Sequence, residues 1–284
     1  MRLFDTHAHI DLPRFGSPEE QRLAANRASS AGIAAILIPG VEPATWPRVA
    51  AVAESLSAKT PGVRFHTAFG VHPFALSDLP ASEDRALASR LAEALERRGN
   101  AEFAGSAAIT RAPVAIGECG LDFARTRDAA TRARQLAVLD VHIAASRRTG
   151  LPLLVHCVKA HGALLDRLLA APTPPAVLHA FSGSAEVAAA LCRAGHYIAF
   201  AGAVTNPRAR KPKEAAAAVP ADRLLLETDA PDQTPFARRP ARNEPAFIVD
   251  TARAIADLRG VTLADLAEQT TANACRVLRV ELPD

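Results

Sequence analysis

Residues 3 to 9 read Leu-Phe-Asp-Thr-His-Ala-His. In a β-strand the side chains at i and i+2 fall on the same side, so His7 and His9 present two imidazoles in one direction. Imidazole is a ligand for Zn, Fe, Ni or Mn, but two of them make only half a site. The remaining donors must come from elsewhere in the chain. Candidates sit where apolar runs end. They are His72 in Gly-Val-His-Pro, Glu118 in Gly-Glu-Cys-Gly-Leu-Asp and His156 in Leu-Val-His-Cys. His179 in Leu-His-Ala-Phe-Ser-Gly and Asp229 in Glu-Thr-Asp-Ala-Pro complete them.

Taken singly, each has an ordinary explanation. A histidine closing a strand is about as often a hydrogen-bonded structural residue, and Glu118 or Asp229 could pair with a base or cap a helix. An unpaired carboxylate beside an apolar strand would be costly. Joint occurrence favours a site made of His7, His9, Glu118, His156, His179 and Asp229. The other histidines read differently. His142 lies within a helical stretch and His66 and His196 lie at strand starts, so these three read as structural; His161 falls near a rim. Cys119 and Cys157 adjoin the candidate ligands but alternate away from them, and read as packed thiols.

The elements that must position these donors are legible as eight short apolar runs: Leu3–Asp5, Ile33–Ile38, Val63–Gly70, Val114–Glu118, Leu151–His156, Ala176–His179, Tyr197–Ala201 and Arg223–Thr228. They show little alternation, as parallel strands covered on both faces do. Helical stretches alternate with them, near 43–57, 83–98, 129–149, 160–170, 184–194, 213–218 and 245–258. Ser17-Pro18-Glu19-Glu20 predicts a capped helix start, and Thr262 predicts the cap of a last helix. Gly99–Arg111 reads as a surface loop. Such alternation predicts an α/β fold, a (β/α)8 TIM barrel forming one domain over residues 1–284, with a doubly wound sheet as the alternative. In a barrel the C-terminal strand ends converge on one face, where active sites are built.

Apolar residues make up 49% of the 284, ample for a core, and the net charge of +3 favours no partner class. The four cysteines form no CxxC, no secretory leader is expected, and no apolar run approaches a membrane span. The expectation is a soluble cytoplasmic protein without an obligate protein partner.

Together the motifs resemble the TatD-related metal-dependent hydrolases, deoxyribonucleases of the amidohydrolase superfamily. The match runs from Phe4-Asp5-Thr6-His7-Ala8-His9 through Gly70–Pro73, Gly117–Asp122, His156-Cys157, His179–Gly183 and Glu227–Pro231 to Arg242-Asn243-Glu244-Pro245. The resemblance implies a somewhat distorted TIM barrel holding two divalent cations, with Mg²⁺ in activity and Zn²⁺ or Mn²⁺ also accepted. His7, His9, Glu118 and Asp229 would hold one; Glu118, His156 and His179 the other, with Glu118 bridging. His72 and Arg242 would contact substrate or brace the ligands. Two departures bear on substrate. Val158-Lys159 stands where family members often carry an arginine two residues after the fifth-strand histidine, so Lys159 would grip phosphate as a point charge. Asp232-Gln233 replaces a usually apolar continuation.

The activity expected is hydrolysis of phosphodiester bonds, exonucleolytic on single-stranded DNA or strand ends. Cations acidify a water toward pKa ~7, with Asp229 orienting it and accepting its proton and Glu118 as the second catalytic carboxylate. Arg208, Arg210, Lys211, Lys213, Arg238, Arg239 and Arg242 follow the last two strands, where barrel phosphate sites often lie. Aromatics at 5% argue against a long base-stacking groove. Two alternatives stand: a small-molecule amidohydrolase, lactonase or phosphotriesterase with the same centre, and a non-catalytic metal-binding protein.

Overall fold

Eight strands form one sheet in chain order: β1 (Leu3–Asp5), β2 (Ile33–Gly40), β3 (Arg64–Phe69), β4 (Ala115–Asp122), β5 (Leu153–Val158), β6 (Ala176–Leu178), β7 (Tyr197–Phe200) and β8 (Leu224–Leu226). The pairings are parallel. Beyond β8 the chain returns to the first strand: Thr6 N–H donates to Leu226 O at 3.1 Å, and Ala8 bridges Ala230. The fold is a (β/α)8 TIM barrel. The computed structural model describes residues 1–96, 112–126 and 128–283. The expected loop Gly99–Arg111 lies outside them.

The helices are α1 (Pro18–Ser30), α2 (Trp46–Lys59), α3 (Asp84–Glu96), α4 (Ala129–Thr149), α5 (His161–Leu169), α6 (Ala185–Arg193), α7 (Arg210–Ala218), α8 (Ile248–Arg259) and α9 (Leu263–Leu278). Their ends follow local chemistry. Ser17 Oγ accepts from Glu20 N–H while the Glu20 carboxylate accepts from Ser17 N–H at 2.7 Å, satisfying two otherwise orphaned donors. Thr262 caps α9 through Asp265 N–H. Gly150 ends α4 at φ 71°, a conformation that costs glycine nothing. Among the described residues no helix is long and apolar enough to cross a membrane.

The chain divides into two compact units. The first comprises Met1–Ile38, Ser55–His66 and Leu178–Asp284, with Leu3, Phe15, Ile36, Phe65, Phe200 and Ile248 fully or almost fully buried. The second comprises Pro39–Glu54 and Thr67–Val177, built around Phe69, Leu91, Ile116, Leu139 and Leu154.

Strand ends differ from expectation by up to two residues in several places, among them β5, which runs on through Val158 so that His156 lies within it, and by the most in β4. β4 continues four residues past Glu118, because its ladder with β5 resumes at Cys119↔Val155 and runs on through Gly120↔His156 to Asp122↔Val158. The register shifts between Ile116 and Cys119, so Glu118 sits in an interruption of the ladder and not at a strand end.

Candidate metal centre

In the first unit, β1 and β8 are fastened together by Asp5. Its buried carboxylate accepts His7 N–H at 3.2 Å and Thr228 N–H at 2.9 Å through Oδ1, and the Thr228 hydroxyl at 2.6 Å through Oδ2. Burial pushes its pKa up to about 8, against these hydrogen bonds. The backbones then interlock: Asp229 N–H donates to His7 O and His9 N–H to Ala230 O. This places His7 Nε2 and His9 Nε2 3.0 Å apart, with Asp229 Oδ1 3.7 and 3.9 Å from them. The His179 ring stacks on His7 at 3.9 Å, and donor atoms of His7, His179 and Asp229 all lie within 4.8 Å of one another. Asp229 and Ala180 hold φ angles of 56° and 45°, left-handed backbone that is strained for residues with a Cβ.

One carboxylate and one carboxamide stand behind these donors. Glu227 Oε1 lies 3.5 Å from His179 Nδ1. Burial raises the Glu227 pKa, and the Asp229 charge adds to that against the pull of His179. Gln233 Nε2 donates to Asp229 Oδ2 at 3.0 Å, leaving Oδ1 on the histidine side.

The second unit gathers His72, Glu118 and His156 beyond or within β3, β4 and β5. Close approach of the backbones requires glycine here. A Cβ on Gly117, at φ 150°, would lie 2.4 Å from Leu154 O; one on Gly120, at φ 135°, would lie 2.0 Å from His156 O. Glu118 is buried, with Oε1 3.2 Å from His72 Nε2 and 3.3 Å from His156 Nδ1.

Proton positions follow from the partners. His72 Nδ1 accepts Phe74 N–H at 3.0 Å, so the neutral ring carries its proton on Nε2 and donates it to Glu118. His72 therefore braces Glu118 and offers no lone pair to a cation. His156 is the reverse. Its Nε2 lies 3.1 Å from Asp122 Oδ2, an acceptor, so the proton sits there and the Nδ1 lone pair faces Glu118. Burial acts to raise the Asp122 pKa, but hydrogen bonds from His156 and from Arg125 and Ala124 N–H outweigh it, and the carboxyl stays below its ordinary value.

These donor sets fit a divalent cation. Ligand atoms about 2.0–2.2 Å from one ion stand roughly 3–4 Å apart, the spacing of His7, His9 and Asp229. The His156 lone pair and the Glu118 carboxylate at 3.3 Å repel unless a cation or proton lies between them. Mixed imidazole and carboxylate ligation suits several divalent metals.

The structure thus brings together His7, His9, His179 and Asp229 in one unit, and Glu118 and His156 with His72 in the other. Lys159 is exposed just past β5, at φ 52°. Arg242 is exposed with its guanidinium 4.7 Å over the Phe15 ring. Asp232 is ion-paired with Arg14. His142 is structural as expected: Nε2 accepts Val71 N–H at 3.0 Å and Nδ1 donates to Val138 O at 2.7 Å. Sequence reasoning missed Asp5, Asp122, Glu227 and Gln233. A period-2 signal was present for two of them, since Asp5 shares parity with His7 and His9, and Glu227 with Asp229.

The TatD related DNase family model matches residues 4–279. The chain is 32% identical to the uncharacterized metal-dependent hydrolase YabD of Bacillus subtilis over 98% of this chain and 99% of that one. It is 34% identical to the 3'-5' ssDNA/RNA exonuclease TatD of Erwinia billingiae over 98% and 99%. The crystal structure of YjjV, a TatD homologue from Escherichia coli K12, superposes with a TM-score of 0.83 at 31% identity over 98% of each chain. The chain belongs to the TatD-related DNase family and is a metal-dependent hydrolase.

Proposed function

We propose that this protein is an exonuclease of the cytoplasm that hydrolyses phosphodiester bonds at the ends of single-stranded DNA, using two divalent cations. Mg²⁺ is the proposed ion in activity, with Mn²⁺ and Zn²⁺ also accepted. His7, His9 and Asp229 are assigned to one cation and His156 and His179 to the other, with Glu118 shared. The observation that carries the metal reading is the convergence of ligand atoms: His7 Nε2 and His9 Nε2 stand 3.0 Å apart, and His156 Nδ1 and Glu118 Oε1 stand 3.3 Å apart. The nuclease reading is supported by the Erwinia billingiae relative, which is named an exonuclease. The four cysteines are free thiols, in keeping with a reducing compartment.

When bound, such cations neutralise phosphoryl charge and acidify water toward neutrality. The chain's own residues do the rest. The Asp229 carboxylate accepts the proton of the attacking water, and Gln233 orients that carboxylate by donating to Oδ2. Asp122 keeps the His156 proton on Nε2, and His72 holds Glu118. Lys159 and Arg242 are assigned to phosphate contacts.

The test is cleavage of 3′- and 5′-labelled single-stranded and duplex DNA with Mg²⁺, Mn²⁺ or Zn²⁺. Metal-dependent release of nucleotides from single-stranded ends is expected, and no cleavage with any of the three removes the nuclease reading. Asp229→Asn should cut turnover by about 10²- to 10⁴-fold, the usual contribution of a positioned general base, while bound metal persists or falls modestly.

A further inference from the structure

Two large aromatic side chains are exposed among the described residues, Phe74 and Phe236. Phe236 packs under the Arg239 guanidinium at 5.9 Å. Phe74 is the more informative, because it is seated against His156 and against His72, the histidine that braces Glu118. It is 37% exposed although it follows the Gly-Val-His-Pro turn, where neighbouring Val71 and His72 are buried. Its ring lies edge-on to His72 at 4.6 Å and to His156 at 5.8 Å between centroids. The Arg125 guanidinium lies 4.4 Å over its face. Leaving such a ring in water forgoes burial that is ordinarily favourable, and nothing in the metal chemistry uses it.

Both partners are held in place by the machinery around Glu118. Phe74 N–H donates to His72 Nδ1, whose other nitrogen faces Glu118. Arg125 N–H donates to Asp122 Oδ1, whose other oxygen holds His156. The ring and the guanidinium are therefore stacked in a fixed relation to the Glu118–His156 pair. Flat, sequence-tolerant stacking on phenylalanine and on arginine planes is how proteins hold unpaired bases, and arginine adds donors for phosphate.

We infer that Phe74 and Arg125 form a base-stacking subsite that receives the terminal nucleobase of a single strand, next to the bond to be cut. This rests on the nuclease reading above. A ring stack engages the π-face common to all four bases, so the subsite discriminates base from no base, and only weakly among bases. It also explains how a chain with few aromatics can bind a strand end without a stacking groove.

The experiment uses the full-length, Mn²⁺-loaded protein and two single-stranded oligonucleotides differing only at the terminal nucleotide of the attacked end. One carries a base there and the other is abasic. For wild type, KM should be about 5- to 150-fold lower for the base-bearing end, the range that one stacked base supplies. In Phe74→Leu that ratio should fall to about one, and in Phe74→Trp it should be retained. Arg125→Gln should lower the ratio in part. Thermal unfolding of each variant confirms the fold. A ratio unchanged in Phe74→Leu overturns the subsite, as does a wild type that cleaves both oligonucleotides with equal KM; either leaves the nuclease reading standing. A wild type that cleaves neither overturns the nuclease reading and the subsite with it.

Discussion

Asp122→Asn changes one atom and inverts one hydrogen bond. In the native protein Asp122 Oδ1 accepts the N–H groups of Ala124 at 2.9 Å and Arg125 at 3.2 Å, and Oδ2 faces His156 Nε2 at 3.1 Å. The asparagine oxygen keeps both backbone bonds, since turning it away would strand two N–H groups. Its NH₂ then meets His156 Nε2, which must become an acceptor. The ring proton moves to Nδ1 and points at Glu118 Oε1, 3.3 Å away, occupying the position a cation needs. Removing the partner that fixes a ligating histidine costs about 10- to 100-fold in metal affinity or activity, or roughly 1.4–2.7 kcal/mol. Calorimetric titration of the metal-free protein with Mn²⁺ or Zn²⁺ should show that loss in one class of site, with unfolding midpoints close to wild type. Asp122→Ala, which also abandons the two N–H groups, should lose both affinity and stability. Wild-type affinity in Asp122→Asn, within twofold, would refute the tautomer argument.

Other perturbations follow from the same geometry. Gln233→Leu removes the donor to Asp229 Oδ2 and should lower kcat/KM about tenfold, the order expected of a hydrogen bond to a charged group; steady-state kinetics with saturating Mn²⁺ would measure it. Gly120→Ala would put a methyl 2.0 Å from His156 O at φ 135°, and should destabilise the protein by more than about 3 kcal/mol in urea titrations. Burial lowers the pKa values of His142 and His196 from 6.5 to about 4. Each is neutral when folded and takes up a proton when unfolded below pH 6.5. Stability is therefore complete above pH 6.5 and is lost as pH falls toward 4. At pH 5 the loss is about 2 kcal/mol per histidine, and denaturant titrations of His142→Gln should show roughly half the wild-type loss from this pair.

The strands were legible because burial on both faces leaves unbroken apolar runs, and the helix starts because Ser17 and Thr262 carry cap chemistry in their side chains. The donors were legible because each closes such a run. What escaped has a common physical reason. The continuation of β4 past Glu118 passes through Cys119 and Gly120, and a glycine required by an approach of 2.0 Å looks, in sequence, like a turn. Gln233 sits on a loop with no periodicity, and its role depends on reaching back to Asp229 at 3.0 Å. The division of labour between His72 and His156 was invisible for a deeper reason. Both are strand-associated histidines near Glu118, and only the partner of the far nitrogen, a backbone N–H in one case and a carboxylate in the other, decides which offers a lone pair.

That distinction says something about how the centre is built. Asp122 lies behind His156 and Glu227 behind His179, while Asp5 holds the backbone of His7. None of the three faces the donor atoms they serve. A buried carboxylate is costly, as the upward shifts of Asp5 and Glu227 show, and that cost is met only where its hydrogen bonds fix something. Here they fix ring protons and strand ends. The left-handed backbone at Ala180 and Asp229 works to the same end, since a residue strained by about 1–2 kcal/mol persists only where its surroundings over-determine it. The donors are therefore oriented by the fold before a cation arrives, and the binding free energy need not be spent on ordering them.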